Sequence, residues 1–180
     1  LEAVKEAAAA EKNIVISPSG IAAAKYLKQK FGTPYEVFCP PEIIPEWKER
    51  KEQLEHSEQI EQNTAMPNRK ERSDKKVLIV HQQVLANTLR EELLTLAMEQ
   101  KIETDFAKIT VASWFMLDDA LKKEGDILFK EEDDWISYIK ENEYDIIIAD
   151  PLLKKAVPFY KGEWYDLPHF AISGKKRQTV

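Results

Sequence analysis

Lys75–Leu93 reads KKVLIVHQQVLANTLREEL, and this stretch decides the fold. Val77 to Val80 are four consecutive apolar residues, two of them valine and one isoleucine. A run this short and β-branched, with no polar alternation, is the pattern of a strand buried on both faces. From Val84 the period changes. Leu85, Leu89, Leu93, Leu96 and Ala97 fall three to four residues apart, the spacing of one helical face, and predict a helix over 84–101. A strand buried on both faces and followed at once by an amphipathic helix is half of a βαβ unit.

The same alternation recurs on both sides. Asn13 to Ile16 and Tyr35 to Phe38 read as strands flanking a helix over 21–30, with Gly32 as its C-terminal stop. Phe106–Ala112 reads as a strand, 133–142 as a helix, Asp145–Ala149 (DIIIA) as a strand, and Phe170–Ser173 as the last one. Leu1–Ala10 reads as helix from its Ala and Glu content. The expected class is therefore α/β: parallel sheets flanked by helices, built from Rossmann-like βαβ units with right-handed crossovers. Residues 1–41 read as the end of one such domain, 42–75 as an exposed helix and polar linker, and 76–180 as a second domain.

Two segments share a layout. In Asn13–Phe38 and Tyr144–Ser173 a strand, a polar residue and a proline (Pro18, Pro151) are followed by a second proline (Pro34, Pro168), a ring and another strand. This alignment pairs His169 with Tyr35 and predicts a packing role for His169 at the start of a strand.

Composition narrows the functional classes. The 180 residues carry a net charge of −6, which argues against a general nucleic-acid binder. The basic cluster Arg69–Lys76 reads as a solvated linker. No apolar run approaches the roughly 18 residues of a membrane span, and the N-terminal stretch lacks the features of a signal peptide. A single cysteine, Cys39, forbids an internal disulfide and fits a reducing cytoplasm. The absence of an initiator Met and the helical start predict a fragment of a longer protein.

The phosphate-binding patterns GxGxxG and GxxxxGK[ST], the zinc patterns CxxC and HExxH, and the nucleophile elbow GxSxG do not occur. What remains is position. In doubly wound sheets ligands sit beyond the carboxyl ends of the strands. That rule selects Ser17, Ser19, Gly20, His81, Gln82, Ser113, Asp150, Ser173 and Gly174 as ligand-binding candidates, with Cys39 and His169 as weaker metal-ligand candidates. Each has a plain structural reading beside it: Asp150 as a cap before Pro151, Cys39 as a small buried hydrophobe, and His81 as a cap or surface histidine. The acidic run Glu131–Asp134 reads as the first turn of a helix.

Asn13–Pro40 (NIVISPSGIAAAKYLKQKFGTPYEVFCP), Lys75–Leu93, Tyr144–Pro158 (YDIIIADPLLKKAVP) and Asp166–Gly174 (DLPHFAISG) resemble the nitrogenase component 1-like family. That family includes the molybdenum–iron protein of nitrogenase, its cofactor-assembly scaffolds and the dark-operative protochlorophyllide reductase subunits. The resemblance covers most of the chain outside residues 46–75. It implies repeated Rossmann-like domains, a homologous partner subunit, an iron–sulfur or molybdenum–iron-type cluster in the full-length protein, and electrons from an ATP-dependent iron–sulfur reductase. It places no cluster on this stretch, because the family's cysteine ligands lie largely N-terminal to the matched region. On this basis the chain is expected to be a C-terminal fragment of such an oxidoreductase subunit, inactive alone. The alternatives are a non-catalytic small-molecule binding module of two Rossmann-like lobes, and a two-domain glycosyltransferase or epimerase, which the missing diphosphate-binding glycines disfavour.

Overall fold

The computed structural model describes residues 6–40, 74–99 and 105–169. The expected strand 170–173, with Ser173 and Gly174, and the expected helix and linker over 42–73 lie outside the described residues.

Five strands form one parallel sheet: β3 (Asp74–Val80), β4 (Asp105–Ser113), β5 (Ile127–Leu128), β6 (Ile146–Ala149) and β7 (Glu163–Asp166). Their spatial order is β5-β4-β3-β6-β7, and every pairing is parallel. Numbered in chain order within this sheet, the order is 3-2-1-4-5, the pattern of the doubly wound Rossmann-like fold. A second, two-stranded parallel sheet pairs β1 (Asn13–Val15) with β2 (Tyr35–Val37). The helix α1 (Ile21–Phe31) connects them.

Strands buried on both faces give two cores. On one face Val77, Ile79, Val111, Ile146 and Ile148 pack against Val84, Leu85, Leu89 and Leu93 of α2 (Gln83–Met98), with Cys39 and Leu167. On the other face Leu78, Val80, Ala112, Ile147 and Ala149 meet Phe129, Val157, and Trp135 and Ile139 of α3 (Glu132–Glu141). Leu153 and Ala156 of α4 (Pro151–Ala156) close this second layer. The acidic first turn of α3 includes a capping box: the Glu131 side chain caps the Asp134 amide, and the Asp134 carboxylate accepts from the Glu131 amide.

The small sheet is joined to the large one. Val37 packs against the α2 core, and the Cys39 amide donates to Thr88 Oγ1 at 3.2 Å. Gly32 ends α1 at φ 76°, a left-handed conformation that suits glycine, and its amide returns to the Lys28 carbonyl at 3.0 Å.

Residues 7–9 form a 3-10 turn, and residues 1–5 of the helix expected over Leu1–Ala10 lie outside the described residues. One expectation needs correction. The strand that pairs with β6 is Glu163–Asp166, so the counterpart of the β2 strand begins at Glu163. His169 lies three residues past the end of that strand, so the residue that pairs as Tyr35 does is Glu163 and not His169; the strand expected from Phe170 lies outside the described residues. The repeat matched prolines, but Pro34 precedes its strand whereas Pro168 follows one.

Candidate functional site

The strand order reverses between β3 and β6, whose chain neighbours lie on opposite sides. At such a switch point the loops leaving adjacent strands diverge and open a crevice. Here β3 delivers His81 and Gln82, β4 delivers Ser113 to Phe115, and β6 delivers Asp150. The chain leaving β7 brings Leu167–His169 back across the strand ends.

His81 is buried, 1% exposed. Its amide donates to the Ala112 carbonyl at 3.1 Å. Its Nε2 lies 3.3 Å from the Pro168 carbonyl, which can only accept, so Nε2 carries the proton. The His169 ring lies tilted at 37° to it with centroids 4.5 Å apart, and the Phe115 ring centroid lies 5.4 Å from that of His169. Three rings from three different strand ends thus form a cluster. His81 and His169 are buried, while Phe115 is 65% exposed.

Asp150 anchors this cluster from the β6 side. One carboxylate oxygen accepts the Leu152 amide at 2.8 Å and caps α4; the other accepts the His169 amide at 2.8 Å. The Leu167 amide donates to the Ala149 carbonyl at 2.8 Å. Burial, and then the neighbouring His169, pull the His81 imidazole down from 6.5 to about 4, against the opposing Pro168 carbonyl and Asp150. Burial also lowers His169, with Asp150 opposing. Both imidazoles are therefore neutral at pH 7.

Gln82 ties the two sheets together. Its Oε1 accepts the Leu85 amide at 2.9 Å and caps α2, while its Nε2 donates to the Ile16 carbonyl at the end of β1. The turn after β1 follows directly: Ser17 and Ser19 share a hydroxyl hydrogen bond at 3.0 Å, and the Gly20 amide donates to the Ser17 carbonyl. Gly20 approaches Val15 so closely that an added Cβ would stand 3.1 Å from its Cγ1. Ser113 is buried and its carbonyl accepts from the Phe129 amide, so that carbonyl is spent at the end of β5.

A polar stripe on α2 fixes the loop that carries Phe115. Gln83 bonds both the carbonyl and the amide of Asp118, Asn87 donates to Leu121, and Arg90 forms a two-pronged pair with Asp126 at 2.7 and 3.1 Å. Asp126 also accepts the Val111 and Lys123 amides. Neither Phe115 nor this clamp was singled out from sequence. The only signal was the apolar run Trp114–Leu117 extending past the end of its strand.

Cys39 does not belong to the crevice. It is 1% exposed within the α2-side core, and burial pushes its thiol up, which disfavours the thiolate a metal needs. Among the described residues no group of three or more His, Cys, Asp or Glu side chains could hold a metal ion. The described residues therefore do not fit an iron–sulfur cluster. Among them, too, no helix is long and apolar enough to cross a membrane. Neither a protein-family model nor a curated protein matches the chain.

Proposed function

We propose that this chain is part of a nitrogenase component 1-like oxidoreductase subunit, in which it walls a ligand or redox crevice and meets a homologous subunit in a reducing cytoplasm. The observation that carries this reading is the convergence of His81, His169, Asp150 and Phe115 at the switch point of a 3-2-1-4-5 parallel sheet, where Rossmann-like proteins hold their ligands. The sequence resemblance supplies the redox class. Any cluster would take its thiolates from elsewhere in the full-length protein or its partner, and an ATP-dependent iron–sulfur protein would supply electrons. Iron and sulfide analysis of the anaerobically purified full-length protein tests this. Stoichiometric iron and sulfide are expected, and a metal-free, fully folded protein would overturn the redox assignment.

A second reading is a non-catalytic small-molecule binding module. It is favoured by the chemistry at the crevice, which consists of neutral imidazoles, an exposed aromatic ring and a carboxylate committed to backbone amides, with the one thiol elsewhere. Metal-free full-length protein that still binds a ligand at the crevice would select it.

A further inference from the structure

We infer that a concavity towards the amino ends of the strands, lined by Lys76, Lys108 and the Tyr138–Tyr144 pair, binds the phosphate group of a small anion. It lies at the opposite end of the sheet from the His81 crevice and is independent of the function proposed for that crevice.

The concavity measures about 480 Å³. Its lining comes from β3, β4, the last turn of α3 and the turn from α3 to β6, all within the described residues. Lys76 and Lys108 are Cα partners in the parallel β3–β4 pair, so both side chains leave the sheet on the same face. Further along, that face carries Leu78, Val80 and Ala112, which pack under α3. Like charges opposite one another across strands are unfavourable. Neither ammonium has an ion pair among the described residues. An anion between them would offset that repulsion. The head of Lys108 also has a seat: a Cβ at Gly125, where φ is 85°, would stand 2.8 Å from its Nζ. Glycine there leaves the room that the lysine occupies.

The third donor is a phenol. The Tyr138 and Tyr144 hydroxyls lie 2.6 Å apart, and one proton serves that bond. The other phenolic proton has no acceptor among the described residues and can be given to a ligand. Burial, and then the bond to Tyr144, push the Tyr138 phenol well above its ordinary value, so it keeps its proton. Two ammoniums and a phenol around one space are all donors, which suits an oxyanion with several acceptor oxygens. A phosphate group carries close to two negative charges and three free oxygens, and it matches both lysines. A carboxylate offers one charge and two oxygens.

The rim limits what can enter. Lys140 stands 5.5 Å from the centre of the Phe159 ring and lies in the last turn of α3, where it offsets the negative end of the helix. Glu141 and Glu143 share the rim. A long polyanion would meet both carboxylates and a chain of net charge −6, whereas a single small anion can settle on the lysine side.

The probe is inorganic phosphate, titrated into the 180-residue chain at constant ionic strength, with the Asn142 and Tyr144 amide signals followed by nuclear magnetic resonance. Both signals should shift saturably. Lys76→Gln and Lys108→Gln should each weaken binding about tenfold, the usual worth of a hydrogen bond to a charged group. Both side chains are exposed, so the variants should keep the fold. Lys25→Gln on α1 should leave binding unchanged. Acetate should bind about tenfold more weakly than phosphate. Glycerol 2-phosphate separates the sources: tighter binding than phosphate assigns the site to a phosphate ester, weaker binding to the free ion, and either sustains the inference. It is overturned if phosphate gives no saturable shift in the parent chain, if either lysine variant binds as tightly as the parent, or if acetate binds as well as phosphate.

Discussion

The Gln82 side chain is bonded at both ends, to the Leu85 amide of its own helix and to the Ile16 carbonyl of the other sheet. One amide group therefore caps α2 and fixes where β1 ends relative to β3. Removing it should cost about 1 kcal/mol, the usual value of a lost helix cap. Gln82→Ala should also speed amide hydrogen exchange in the β1–β2 pair while leaving β3–β4 protected. Unchanged exchange in β1–β2 would mean that Val37 and Cys39 packing alone holds the small sheet.

Arg90 and Asp126 form a buried pair, with side chains 3% and 0% exposed. Breaking one side leaves an uncompensated buried charge, so Arg90→Ala should cost about 3–5 kcal/mol in denaturant unfolding. Replacing both partners with apolar residues of similar volume should remove the unpaired charge but recover only part of that loss, because the Val111 and Lys123 amides would lose their acceptor. Asp126 also accepts two backbone amides, so Asp126→Ala should be at least as harmful as Arg90→Ala.

The imidazole of His81 makes stability depend on pH in a definite direction. Its folded value of about 4 lies below the unfolded 6.5. The unfolded chain therefore binds the proton first as pH falls, and stability drops between pH 6.5 and about 4, then levels off. At 1.36 kcal/mol per pH unit the loss is at most about 3 kcal/mol. Lowering of His169 acts in the same direction. Chemical denaturation from pH 7.5 to 3.5 should show this slope, and His81→Leu should flatten most of it. An equal slope in the variant would place the acid sensitivity elsewhere.

The sequence made the inner strands legible because burial on both faces leaves continuous apolar runs. Val77–Val80 and Ile146–Ala149 are of this kind. Glu163–Asp166 (EWYD) was missed because it is an edge strand among the described residues. Its outer residues are exposed and its inner ones half-buried, so it carries no run and no clean alternation. Ile127–Leu128 and Pro151–Ala156 are too short for any period to register. For the site, strand-end position was enough to select His81 and Asp150. Their meeting with His169 was not legible, because it depends on the path of residues 167–169 back across the strand ends from β7. The repeated prolines pointed to a strand after Pro168 and away from the one that pairs with β6. Rings and prolines recur for many local reasons, and only strand pairing shows which of them are equivalent.

Asp150 and the His169 ring hold the same segment by different means, and two substitutions separate them. Asp150→Ala removes a cap from α4 and leaves the buried His169 amide without its acceptor. Those losses together should cost about 2–3 kcal/mol. His169→Phe keeps the amide bond to Asp150 and replaces one ring by another of similar size. It should change stability by less than about 1.5 kcal/mol, as shape-conserving replacements in packed sites do. Thermal and denaturant unfolding of the two variants decide the ranking. If His169→Phe proves the more damaging, the imidazole's own hydrogen bonding, and not Asp150, holds the segment.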